Sequence, residues 1–205
     1  LLASDPAHAG IPMWQLTHPI ARDAKDTPEA RLARVDELLS LRRSLTPELD
    51  GTHLIRADAP EECMHIVGQS FQTRTFWNLA PVHSYQDWLN TSDKMNKYQE
   101  YVEYLKVVQT SHPNKRLVLK APDHVDGLSE LLTVLPEAMV VQTHRDMREQ
   151  FGSYMSLGRT TRKIAVDNLD TAREVQTVMN MADASIARSS AAHSDHPGKI
   201  FDVKY

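Results

Sequence analysis

The chain has 205 residues, 41% hydrophobic and 24% charged, with a formal net charge of -4. That profile belongs to a globular protein with a core of useful size, and it excludes a disordered chain; the apolar runs are too short for a transmembrane segment. The acidic balance argues against a broad nucleic-acid or anionic-membrane surface, so any anion site must be local.

The sequence has one cysteine, Cys63, which cannot form an intramolecular disulfide, and ten histidines with one thiol make no cysteine-based zinc site. A reducing, cytoplasmic setting fits, and the length suits a single α/β domain over 1–205. Residues Leu1-Leu2-Ala3-Ser4-Asp5-Pro6 read as the end of a helix stopped before Pro6. Thr27-Pro28-Glu29 is an N-cap followed by proline, and it opens a helix over 27–44 with Leu32, Val35, Leu38 and Leu39 on one face.

From Pro60 to about Leu79, Cys63, Ile66, Val67, Phe71 and Phe76 recur at helical spacing, and Met95, Tyr98, Val102, Leu105 and Val108 do so over 92–110. The middle third is therefore predicted to be mostly helical, with Pro81 to Trp88 as a loop. The period then changes. Arg116 to Lys120 and Ala138 to Thr143 are short, β-branched-rich runs predicted as buried strands. The helix predicted between them, 123–135, has Val125, Leu128, Leu131, Leu132 and Leu135 on one face. Strand, helix, strand is a βαβ unit, which makes the two strands a parallel pair. A long helix over 167–192, with Leu169, Ala172, Val175, Met179, Ala182 and Ile186 inward, leads to a strand at 199–205. Both ends of the chain look cut.

In an open parallel sheet, ligands bind outside the carboxyl ends of the strands. That geometry selects Lys120 and Arg145, each following a predicted strand, and two such cations suit an anionic ligand. Asp146 and Glu149 have capping-box-like spacing, so a helix should begin there, with Ser153 about two turns in. By spacing alone, a buried serine bonded to its own helix is the simpler account of Ser153.

The order Leu119-Lys120-Ala121-Pro122-Asp123-His124, a leucine-rich helix, Pro136-Glu137-Ala138, a strand, then Thr143-His144-Arg145-Asp146 with Ser153 beyond resembles the bacterial branch of the sulfotransferase family. The resemblance runs from the first six residues through Glu61-Glu62-Cys63 and Tyr85-Gln86-Asp87-Trp88-Leu89 to Phe201-Asp202-Val203-Lys204-Tyr205. It implies a P-loop-like parallel sheet flanked by helices. It also implies 3'-phosphoadenosine 5'-phosphosulfate as donor, 3',5'-adenosine bisphosphate as product, and Arg145 and Ser153 on the 3'-phosphate. The strand and phosphosulfate-binding loop that such a fold places before the helix ending at Asp5 are absent from this chain. No metal is implied.

Sulfuryl transfer needs a base for the acceptor hydroxyl and a cation for the negative charge growing on the leaving oxygen. Lys120 is the leading cation, on the leaving side of the donor. His124 is the leading base, with Asp123, Glu61 or Glu62 as alternatives. The acceptor implied is a small molecule, lipid or glycoconjugate hydroxyl. Two other readings stay open. A nucleotide kinase-like phosphoryl transferase would need an upstream glycine-rich loop ending in Lys-Ser or Lys-Thr and an acidic magnesium ligand. A non-catalytic nucleotide-binding homologue would lack the phosphosulfate loop.

Other features attract smaller expectations. Arg159-Thr160-Thr161-Arg162-Lys163 is a basic cluster suited to phosphates or simply to solvent. His193-Ser194-Asp195-His196 sits in a polar turn and is assigned no metal. Trp14, Trp77, Tyr85 and Trp88 suit either an apolar acceptor pocket or the core.

Overall fold

The computed structural model describes residues 2–51, 53–162 and 166–204. In chain order its regular elements are β1 (His8–Gly10), α1 (Met13–Thr17), α2 (Pro28–Leu45), α3 (Met64–Val67), α4 (Thr75–Leu79), α5 (His83–Thr91), α6 (Met95–Gln109), β2 (Arg116–Val118), α7 (Leu128–Val134), β3 (Val140–His144), α8 (Met147–Arg162), α9 (Thr171–Asp195) and β4 (Ile200–Lys204). Short 3-10 turns at Leu2–Ser4 and Pro122–Asp126 replace the helix end and the helix start predicted there. Leu1, Lys163 and Tyr205, which fall in predicted features, lie outside the described residues.

Backbone contacts divide the chain into two compact units, Leu1–Phe71 with Glu100–Pro122, and Gln72–Gln99 with Asp123–Tyr205. In the first unit, β1 and β2 pair in parallel, Gly10 opposite Val118. A Cβ on Gly10 would lie 2.9 Å from the Pro60 ring, so the glycine lets the chain at Pro60 pass close beside β1. Thr27 caps α2 by accepting from Ala30 N (3.3 Å), with Pro28 in the first turn. Val35 and Leu39 then pack with Met13 and Ala57. Arg31 is buried too, because its guanidinium donates to the His18 and Pro19 carbonyls (2.9 Å each) and lies over the Trp14 ring.

In the second unit, β3 and β4 pair in parallel from Val140 opposite Ile200 to His144 opposite Lys204. Helix α9 packs on α5 and α7, and Trp77, Val178 and Met181 form a core with Phe151, Tyr154 and Met155 against it.

Four expectations are corrected. The strand at 116–118 takes β1 as its partner and the strand at 140–144 takes β4, so the two do not form the predicted pair. Local sequence marks a segment as a strand, but its partner is set by packing at long range. The helix predicted over 60–79 breaks into α3, a 3-10 turn at Gly68–Ser70 and α4, because Phe71 adopts a left-handed conformation (φ 58°) that no helix continues through. The loop predicted at 81–88 is largely α5, whose Leu89 and Gln86 are buried. Finally, α9 lies in a different rotational phase. It buries Glu174, Thr177, Val178, Met181, Ser185, Ser189 and Ala192, while Met179 and Ile186 are half exposed. The polar members of that face are bonded inside: Thr177 Oγ1 to His83 Nδ1 (2.7 Å), Ser185 Oγ to Asp126 Oδ1 (2.8 Å) and Ser189 Oγ to Gln142 Oε1 (3.0 Å). Satisfied hydroxyls lose little on burial, so these bonds override the apolar stripe.

Candidate functional site

In the first unit, the segment Glu61-Glu62-Cys63 is tied to the chain leaving both strands. Glu61 N donates to Ile11 O (3.0 Å), just past β1, and Cys63 N donates to Lys120 O (2.9 Å), just past β2. Two acidic side chains are thereby fixed at the carboxyl end of the parallel pair. Glu62 forms an ion pair with the ammonium of Lys120, which is exposed. Desolvation lowers the lysine pKa, and the Glu61 charge opposes it. Glu61 is nearly buried, at 8% side-chain exposure, and its Oε1 accepts from Glu62 N (2.7 Å) and binds His53 Nε2 (3.1 Å). His65 is beside them; burial lowers its pKa, Glu61 raises it and His53 lowers it.

In the second unit, Arg145 directly follows β3 and precedes α8. Its side chain is exposed and makes no ion pair or hydrogen bond among the described residues. Asp146 behaves as the predicted cap: its Oδ1 accepts from Arg148 N (2.8 Å) and more weakly from Glu149 N (3.4 Å). Ser153 is exposed on α8 and bonds no neighbour among the described residues, so the buried, self-bonded serine is not what forms. A cleft lined by Gly152, Ser156, Arg159 and Thr160 of α8 and by Asp167 and Asn168 opens next to it along the helix. In the middle of β4, opposite Gln142, Asp202 binds His144 Nε2 (2.6 Å) and His193 Nε2 (3.1 Å), and these bonds hold its carboxyl below the usual range.

His124 belongs to this second unit and is partly buried. Its Nδ1 lies 3.2 Å from the Tyr98 hydroxyl, and the two rings pack at 5.8 Å. A Cβ on Gly127 would come within 2.6 Å of the Tyr98 ring, so the glycine makes room for that seat. Desolvation first, then the Lys97 charge, lowers the imidazole pKa to about 4, with Asp123 opposing. His124 is therefore neutral near pH 7 and a weak proton acceptor. Asp123, an alternative base by sequence, is buried and accepts from Thr73 Oγ1 (2.7 Å) and Arg74 N (2.9 Å), the pattern of a structural anchor. Asp126 beside it pairs with Arg74.

The basic cluster divides. Arg159 is exposed and touches Thr171 Oγ1 (3.4 Å), whereas Arg162 is buried, pairs with Glu174 and donates to Trp77 O (2.8 Å). The aromatic residues divide too. Trp77 is core, stacked on Tyr154 at 6.1 Å with the Arg162 guanidinium over its ring, and Trp14 is partly buried and packs against the core of the first unit. Tyr85 and Trp88 remain together at 5.6 Å, and Trp88 is half exposed. Among the described residues no group of three or more His, Cys, Asp or Glu side chains is arranged to hold a metal, and no helix is long and apolar enough to cross a membrane.

The residue that spacing did not reveal is His53. It lies in a loop, without helical or strand periodicity, and only the tie between Glu61 and the strand ends gives it a place.

The Sulfotransferase family profile matches residues 1–205. The chain is similar to the crystal structure of sulfotransferase STF1 from Mycobacterium tuberculosis H37Rv, with a TM-score of 0.85 and 30% identity, over 100% of this chain and 57% of that one. It is also similar to sulfotransferase STF9 from Mycobacterium avium, with a TM-score of 0.79 and 27% identity, over 100% of this chain and 54% of that one. It thus spans a little over half the length of these relatives. Comparison with curated proteins gives no match.

Proposed function

The chain belongs to the sulfotransferase family, and we propose that the protein transfers a sulfuryl group in line from 3'-phosphoadenosine 5'-phosphosulfate to the hydroxyl of a small molecule, lipid or glycoconjugate. The observation that carries this reading is the open cation at the end of β3. Arg145 is exposed without an internal partner, and Ser153 on the following helix presents a hydroxyl that is likewise unengaged among the described residues. A planar guanidinium and a hydroxyl donor suit the oxygens of a phosphate monoester. In this reading they hold the 3'-phosphate, and the donor supplies the activated sulfuryl group. Lys120 stabilises negative charge on the leaving side, with Glu62 keeping its ammonium in position. His124, neutral at working pH, acts as a hydrogen-bonding group more readily than as the proton acceptor. We extend the family's domain assignment to the whole of 1–205 as one functional domain.

The test is calorimetric titration of 3',5'-adenosine bisphosphate into the full chain and its Arg145→Ala variant. Loss of a charge-assisted phosphate contact should weaken binding by about 10- to 100-fold, corresponding to about 1.5–3 kcal/mol. No binding to the unaltered protein would sink the proposal, and equal binding by the variant would remove Arg145 from it.

A further inference from the structure

We infer that His53, oriented by Glu61, is the base that takes the acceptor's proton; the inference rests on the sulfotransferase reading above. Its place comes from topology. Glu61 and Cys63 are lashed to the chain just beyond β1 and β2, so Glu61, Glu62, Lys120 and His53 gather at the carboxyl end of a parallel strand pair. In open α/β sheets that end is where ligands are handled.

The tautomer follows from the partners. An ionised carboxylate only accepts hydrogen bonds, so His53 Nε2 carries the proton that meets Glu61 Oε1 at 3.1 Å, and Nδ1 keeps its lone pair. Glu61 is itself held, since the same oxygen accepts from Glu62 N. The imidazole is 43% exposed while its carboxylate partner is 8% exposed, which leaves the ring reachable by an acceptor and its support inside the protein. A base within reach, oriented by a buried carboxylate, is the arrangement that general-base catalysis requires. His124 has the opposite setting: a deeper seat beside a tyrosine hydroxyl, which both donates and accepts and so leaves the tautomer unassigned. Among the described residues, Glu61 binds His53 and His65 interacts with both, while Lys120 and Glu62 are tied to Glu61 and to each other.

In the step itself, the acceptor O–H proton passes to Nδ1 as the acceptor oxygen bonds to sulfur. The bond from sulfur to the 5'-phosphate oxygen breaks, and its electron pair leaves on the phosphate, giving a sulfate ester and 3',5'-adenosine bisphosphate. The imidazolium then returns its proton to solvent.

The experiment measures turnover of the sulfuryl donor by the full chain, with 2-naphthol and with water as probe acceptors, in the unaltered protein, His53→Gln and His53→Gly. His53→Gln should lower kcat by about 100-fold or more. Binding of 3',5'-adenosine bisphosphate should stay unchanged, and added imidazole should restore part of the His53→Gly activity. Turnover by His53→Gln at the unaltered rate, or an inactive His53→Gly that imidazole fails to rescue, would overturn the assignment while leaving the sulfotransferase reading intact. An unaltered protein that neither binds the bisphosphate nor consumes the donor would remove the sulfotransferase reading, and the base role with it.

Discussion

Arg145 and Arg162 stand at opposite ends of α8 and have opposite fates. Arg162, the last residue of the helix, is buried against the Trp77 ring, pairs with Glu174 and donates to the Trp77 carbonyl. Arg145, just before the helix, is exposed and has no partner among the described residues. Both belong to sequence features that suit phosphate. A cation serves a ligand only where the fold has not already satisfied it, and by that criterion the start of α8 is available and Arg162 is not.

The sharpest way to break the comparison is at the buried end. In Glu174→Ala, the Arg162 guanidinium would stay in the interior without its counter-charge, and removal of one partner of a buried pair is expected to destabilise by about 3–5 kcal/mol. Urea unfolding measures this directly. A loss below about 1 kcal/mol would mean that Arg162 reaches solvent, and the contrast with Arg145 would dissolve.

A similar contrast separates partly buried His124 from half-exposed His53, and pH tests the His124 side of it. His124 has an ordinary pKa of 6.5 when unfolded and about 4 when folded. Between those values the unfolded chain binds more protons, so stability rises with pH across the window. It is fully present above about pH 6.5 and is lost as the pH falls toward 4, by on the order of 3 kcal/mol for complete protonation. Unfolding at about pH 4.5 and about pH 7 should show most of that difference, and His124→Asn should reduce it. An unchanged pH dependence in that variant would mean that the seat beside Tyr98 and Lys97 does not govern the imidazole.

Much of this was legible in sequence where the signal is local. The Thr27-Pro28 start of α2 and the Asp146 start of α8 require only a side-chain oxygen and nearby backbone amides, and both form as their residue types dictate. Strand identity at 116–118 and 140–144 was legible for the same reason. Partner choice was not, because β1 and β4 come from opposite ends of the chain. The phase of α9 was hidden because its buried face is made by Ser185, Thr177 and Glu174, whose partners Asp126, His83 and Arg162 all lie outside the helix. The positions of Arg145 and Lys120 just beyond strands are legible because strand ends are local features. By sequence the cluster containing Arg162 suits phosphates or solvent and His53 has no signal, since burial and a carboxylate partner leave no periodic trace.

The smallest expected effects lie at the open end of α8 and test the comparison between neighbouring residues. Asp146 accepts from the Arg148 amide at 2.8 Å, so Asp146→Ala leaves an N-terminal donor without its side-chain partner and should destabilise by about 1 kcal/mol. Arg145 supports nothing in the described structure, so Arg145→Ala should change stability by no more than about 0.5 kcal/mol. Thermal or urea unfolding of the two variants side by side separates them. If Arg145→Ala proved as destabilising as Asp146→Ala, the guanidinium would have an internal role, and its freedom to meet a phosphate would be lost. If it is neutral while bisphosphate binding falls, Arg145 is held open for a ligand and Asp146 supports the helix behind it.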